Sequence, residues 1–234
     1  MQFENKNILI IGASSGIGAS LAQRLIAQKA NLFTASRTQN PDIESTHITW
    51  DVTQPVGELF GALPDTLHGL VYLPGTINLK PFHRLNTSDF QNDFQINVLG
   101  AVAAIQATLS RLKKADGAAI VLFSTVAVKT GMGFHASIAV SKGAIEGLTL
   151  SLASELAPSK IRCNAIAPSL TDTPLAKNLL SSDEKREASA KRHPIGRVGV
   201  ADDISAMAQL LLSEDGSWIT GQVIGVDGGM GSLK

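Results

Sequence analysis

Two groups of residues in this chain have the type and spacing for chemistry. The first is Ile11-Gly12-Ala13-Ser14-Ser15-Gly16-Ile17-Gly18, which follows a short Ile/Leu run and opens an amphipathic stretch. Glycines at these positions let the chain turn sharply and bring backbone N–H groups against a pyrophosphate. The helix that follows offers its positive dipole end to the same anion. Placement between a strand and a helix marks a dinucleotide site rather than a bare turn, with Gly12, Ser14, Ser15, Gly16, Ile17 and Gly18 expected to line it. The second group is Ser36-Arg37, at the end of the next apolar run. An acid there would bond the ribose 2′-hydroxyl of NAD, whereas an arginine favours the 2′-phosphate of NADP, so NADP is expected over NAD. Asp51 is placed either to accept a hydrogen bond from the adenine amine or to cap a turn. His135, Ile138 and Lys142 stand at i, i+3 and i+7, a spacing that puts them on one helix face. Histidine donates a proton near neutral pH. The only tyrosine, Tyr72, lies elsewhere on an apolar run, where a ring is more often core.

The rest of the composition narrows the function. The chain has 234 residues, with 20 Lys+Arg against 20 Asp+Glu, 44% hydrophobic residues and one cysteine. Balanced charge gives no footprint for nucleic acid or an anionic membrane. One cysteine excludes an internal disulfide framework, and histidines at 47, 68, 83, 135 and 193 have no metal-binding spacing, so no metal is expected. No apolar run approaches the roughly 18 residues of a membrane span, and Met1–Lys6 lack the basic and apolar regions of a leader. A soluble, cytoplasmic protein is expected.

These groups need elements to hold them. Apolar runs at Asn7–Ile11, Asn31–Ala35, His47–Trp50, Gly69–Leu73, Ala118–Phe123, Ile161–Ile166 and Gln222–Val226 predict seven strands. Helical spacing predicts helices at Ile17–Gln28, Pro55–Leu63, Thr87–Lys113, His135–Leu156, Thr173–Ala190 and Ala201–Leu212. Strands apolar on both faces and separated by helices imply a parallel sheet covered on both sides. The expectation is an α/β doubly wound Rossmann-type three-layer sandwich over residues 1–234, one dinucleotide-binding domain. The Arg37–Thr46 link is too short for a full crossover helix. The polar stretch Thr171–His193 is expected as a flap outside the core.

The GxxxGxG spacing resembles the short-chain dehydrogenase/reductase family, and the resemblance covers essentially the whole chain. Asn97 in Ile96-Asn97-Val98-Leu99-Gly100 matches that family's helix asparagine, and Lys142 in Ser141-Lys142-Gly143-Ala144 its active-site lysine. Thr173 matches the threonine that contacts the nicotinamide carboxamide. Ile161–Pro168, Gly196-Arg197-Val198-Gly199 and Val226-Asp227-Gly228-Gly229 resemble its sixth strand, its turn into the last helix and its C-terminal strand. The resemblance implies a lysine on the cofactor ribose, an asparagine in proton relay, and cofactor contacts at Gly75 and Pro168. It implies a homodimer or homotetramer, with small residues such as Gly100, Ala101, Ala104 and Gly143 permitting close helix packing. The alternative is that those residues pack against the sheet.

One departure dominates. The family's tyrosine lies four before the lysine, and that position holds Ile138. The serine thirteen before it corresponds to Thr125, beside Ser124. Tyr72-Leu73-Pro74-Gly75 and Pro168-Ser169 also depart from the family's segments. Losing a positioned general acid costs about 10²–10⁴ in rate. His135 occupies the position of the tyrosine in the enoyl reductase branch, although the glycine motif lacks that branch's wider spacing. The resemblance implies an NADP(H)-dependent oxidoreductase acting on a carbonyl or alcohol. Thr125 would orient the oxygen, with water, His135 or the ribose hydroxyls supplying the proton. The alternative is a catalytically weak or inactive NADP(H)-binding sensor or structural subunit.

Overall fold

The computed structural model describes residues 2–233, so Met1 and Lys234, the ends of the expected domain, lie outside it. Seven strands pair in parallel: β1 (Asn7–Ile11), β2 (Asn31–Ser36), β3 (Thr46–Thr49), β4 (Gly69–Tyr72), β5 (Ala118–Phe123), β6 (Ile161–Pro168) and, after two short flap strands, β9 (Val223–Val226). Their order is β3-β2-β1-β4-β5-β6-β9, which reverses direction between β1 and β4. This is the expected doubly wound architecture, whose ligand crevice lies beyond the carboxyl ends of the strands at that reversal.

Two-residue periodicity builds both halves of the core. In β1, Leu9 and Ile11 point to one side of the sheet and Ile8 and Ile10 to the other, and all four are buried. The first side is covered by α2 (Thr87–Phe94), α3 (Gly100–Lys113) and α5 (Ala136–Leu156). The second is covered by α1 (Gly16–Ala27) and α7 (Ala201–Leu212). Among the described residues, no helix is long and apolar enough to cross a membrane.

Four predicted helices change shape for local reasons. Pro55–Leu63 keeps only a 3-10 turn at Leu59–Ala62, because Pro55 and Gly57, with φ of +50°, break the run. Phe60 then packs edge-on against Trp50 at 5.4 Å between ring centroids. Thr87–Lys113 divides into α2 and α3 around a π turn at Gln95–Leu99. Thr173–Ala190 becomes a 3-10 turn at Pro174–Leu180 and a helix, α6 (Asp183–Ala190), started by the Ser182 side chain. His135 precedes the first turn of α5, after Phe134 at φ +66°. A short helix, α4 (Val126–Thr130), also follows β5. The stretch Thr171–His193 is tied down by β7 (Thr171–Asp172), which pairs with β8 (Gly199–Val200). It buries Ala176, Leu180, Ser189 and His193.

Gly100, Ala101 and Ala104 are buried within this chain, so they pack inward rather than onto an exposed helix face. Gly100 has a specific cause. A Cβ there would overlap the Tyr72 hydroxyl, which donates to the Ile96 carbonyl at 2.5 Å across the π turn. Overpacking of this kind costs about 1–3 kcal/mol. Gly100→Ala is therefore expected to lower the urea unfolding midpoint by that equivalent, and an unchanged midpoint contradicts the Tyr72 placement.

Candidate active site

A cleft of about 320 Å³ opens at the carboxyl ends of the central strands. Gly75 after β4, Thr125 after β5, Lys142 on α5, and Pro168 and Thr173 after β6 all line it, with Ile17 of the glycine loop. Sheet topology thus gathers residues 17 to 173 into one place. A cavity of about 500 Å³ lies at the opposite edge, lined by Phe3, His68, Arg162 and Trp218 among others, and holds none of the residues singled out above.

The glycine loop has the geometry of a phosphate cradle. Gly12 and Gly16 take φ of +91° and +56°, which side chains disfavour. A Cβ at Gly18 would overlap the Gly12 carbonyl, so only glycine lets α1 press onto the end of β1. Ser15 starts α1 with no side-chain cap and no acid in the first turn, which leaves the first amides of the helix open to an anion. Asn40, not foreseen, fixes the loop by donating to the Ser14 carbonyl at 3.1 Å. A Cβ at Gly16 would lie 3.2 Å from Thr173, so the loop and the flap start meet. These residues fit a dinucleotide. Arg37 is exposed at the end of β2, and no acid follows it there. Asp51 takes the turn-capping role. Its carboxylate accepts from Thr53 N at 3.0 Å and Thr53 Oγ1 at 2.8 Å, which, with a smaller contribution from Arg37, hold it below the usual range.

Lys142 is 8% exposed and donates from Nζ to the Phe123 carbonyl at 2.8 Å. Burial pushes its ammonium down to about 8, and the Asp93 charge opposes that shift. Asp93 and Thr76 escaped the sequence reading, although Asp93 sits one helical turn before Asn97. Thr76 Oγ1 donates to Asp93 Oδ1 at 2.6 Å, and Asn97 Nδ2 donates to the Asp93 carbonyl at 2.7 Å and Thr76 Oγ1 at 3.1 Å. Asn97 Oδ1 and Asp93 Oδ2 are buried with no partner among the described residues. Gly75 stands beside them, where a Cβ would lie 3.2 Å from Asn97 Oδ1 and 3.5 Å from Lys142 Nζ. Orphaned buried acceptors beside a lysine and a glycine are groups awaiting a ligand or water.

The chemistry end is partly as expected. Ser124 is committed to Glu146, donating to Oε1 at 2.5 Å. Thr125 Oγ1 accepts from Ala127 N at 3.3 Å, a long bond at the start of α4. Ile138 is 6% exposed and forms an apolar wall between Lys142 and His135. His135 lines the cleft, with Nδ1 donating to the Gly133 carbonyl at 2.6 Å. Tyr72 does not reach the cleft. Its ring belongs to the core under α3, and burial raises its hydroxyl far above the usual range.

The buried ammonium has a measurable consequence. A lysine whose folded value lies below its unfolded one destabilises the fold while it is protonated, and the penalty is relieved as pH rises between the two values. The urea midpoint of the wild type should gain on that of Lys142→Met from about pH 8 to 10.5. A difference that stays flat across that window contradicts the burial of the charge.

Comparison with known proteins agrees with this geometry. A family model described as Enoyl-(Acyl carrier protein) reductase matches residues 12–231. L-xylulose reductase of Bos taurus is 31% identical over 243 residues, covering 98% of this chain and 98% of its own. The ligand-free aldohexose dehydrogenase of Thermoplasma acidophilum aligns at a TM-score of 0.90 and 26% identity, covering 97% of this chain and 94% of that one. ElxO with NADP bound aligns at 0.88 and 26% identity, covering 97% and 98%. L-xylulose reductase and aldohexose dehydrogenase are both oxidoreductases by name, and their named substrates differ. The seven-stranded sheet, the glycine cradle and the match over nearly the whole chain lead to one conclusion: this protein belongs to the short-chain dehydrogenase/reductase family.

Proposed function

We propose that this protein is an NADP(H)-dependent oxidoreductase that interconverts a carbonyl and an alcohol with a proton donor other than tyrosine. The observation that carries the reading is the convergence of Thr125, Lys142, Gly75, Pro168 and Thr173 on one cleft, reached from the glycine loop. A bound nicotinamide supplies or accepts the hydride. Gly12, Ser14, Ser15, Gly16, Ile17 and Gly18 would hold its pyrophosphate, and Lys142 and Asn97, whose Oδ1 has no partner among the described residues, would hold its ribose hydroxyls. Thr125 orients the substrate oxygen. Ile138 and neighbouring Leu73, Leu79 and Leu175 shed water from the cleft, which strengthens every polar contact left inside.

Arg37 favours the 2′-phosphate, and the NADP bound in the ElxO structure supports a nicotinamide dinucleotide as the cofactor. The substrate in this reading is a small molecule, as the name of L-xylulose reductase implies for that relative. A homodimer or homotetramer belongs to this reading. Leu99, Val140 and Leu150 remain 44–56% exposed beside α3 and on α5, an apolar face for a second copy.

The experiment is a fluorescence titration with NADPH and NADH, then turnover over a panel of ketones and aldehydes. Arg37→Asp should weaken NADPH by about 10- to 100-fold, the worth of a charge-assisted hydrogen bond, and improve NADH. Equal affinity of the wild type for both cofactors contradicts the NADP preference.

A further inference from the structure

The end of β6 carries a serine–histidine pair that the reading above leaves without a task. Ser169 follows Pro168 in the cleft wall. His193, 3% exposed, stands behind it. Its Nδ1 donates to the Ser189 carbonyl at 2.8 Å, and its Nε2 lies 2.8 Å from Ser169 Oγ. A carbonyl only accepts, so Nδ1 keeps its proton in both charge states of the ring. Nε2 alone is left to gain or lose one. Ser169 Oγ has a second partner, Met230 Sδ at 3.0 Å, a weak acceptor from which the hydroxyl turns at little cost.

The pair sits where the chemistry is. Phe123 of β5 pairs with Ile166 of β6, so the chain continues to Thr125 and Ser169 at neighbouring strand ends, in a sheet with strands about 4.8 Å apart. Both line the cleft with Ile138 and Lys142. A hydroxyl backed by an imidazole that a third group orients is the arrangement that lets serine carry a proton. A second cavity of about 210 Å³ adjoins Ser169 and His193 on the far side and gives water access to them. The titratable groups on its walls are Arg197, Asp203 and Asp227. Arg197 and Asp203 are paired at 2.6 Å, and the neighbouring Arg192 is turned onto Ser189 Oγ.

We propose that Ser169 and His193 form the proton relay of this cleft, in place of the absent tyrosine. The inference rests on the oxidoreductase reading. In reduction, a hydride from the cofactor adds to the carbonyl carbon and the oxygen takes the Ser169 hydroxyl proton. Ser169 Oγ takes the Nε2 proton of the imidazolium, which leaves neutral His193 with Nδ1–H intact. Water restores the Nε2 proton. In oxidation each transfer runs backward, with neutral His193 as the base and the alcohol proton passing through Ser169.

One arm of the test needs no turnover. In ¹⁵N-histidine NMR of the ligand-free protein, the His193 signals are assigned by their loss in His193→Asn. Nδ1 should carry a proton, and Ser169→Ala should shift Nε2 alone. An Nε2 signal indifferent to Ser169→Ala overturns the pairing. The second arm is single-turnover oxidation of NADPH with the carbonyl panel. Ser169→Ala and His193→Asn should slow it about 10²–10⁴-fold and remove an ionisation from the pH profile, with NADPH affinity unchanged. His193→Asn keeps a donor for Ser189 and loses the contact with Ser169. Adding Ile138→Tyr to Ser169→Ala should recover turnover, which a collapsed cleft would not. Wild-type rates in Ser169→Ala overturn the relay and leave the oxidoreductase reading standing. A wild type that binds NADPH and reduces nothing overturns that reading, and the relay with it.

Discussion

A single buried ammonium organises this site. Among the described residues, Lys142 Nζ has one hydrogen bond, to the Phe123 carbonyl, and the side chain is otherwise enclosed. Holding a charge out of water is costly unless neighbours compensate, and here the Asp93 carboxylate does so only in part. The sheet, α5 and the π turn before α3 must all be in place for that lysine to meet Asn97 and Gly75. The orphaned oxygens of Asn97 and Asp93 make the arrangement incomplete without a polar ligand or water.

The π turn shows how one local irregularity serves two needs. It turns Asn97 inward beneath Gly75, and it brings Gly100 over the Tyr72 hydroxyl. The lone tyrosine is therefore a structural post. Its hydroxyl donates to the Ile96 carbonyl within that turn. Ile138 and Ser169 line the cleft together, and His193 stands behind Ser169.

Much of this was legible in the sequence. The strands were visible because Ile, Leu and Val runs buried on both faces have no other stable use in a chain of this size. The glycine loop was visible because its spacing falls between a strand and a helix, and Lys142 only because its segment resembles the family's lysine segment. Pro55–Leu63 was misread because periodicity carries no information about a positive φ at Gly57. Asp93, Thr76 and His193 were missed because their partners come from elements 17 to 24 residues away, or from the flap, and only folding joins them. Gly100 was ambiguous for the same reason: a small residue fits a helix–helix seam and a tyrosine hydroxyl equally well.

The central claim is that a cleft without tyrosine still moves hydride between NADPH and a carbonyl. Incubation of the protein with NADPH deuterated at the transferred position and the carbonyl panel tests it directly. The account predicts deuterium on the former carbonyl carbon of an alcohol product. Tight NADPH binding with no deuterium in any product would contradict it.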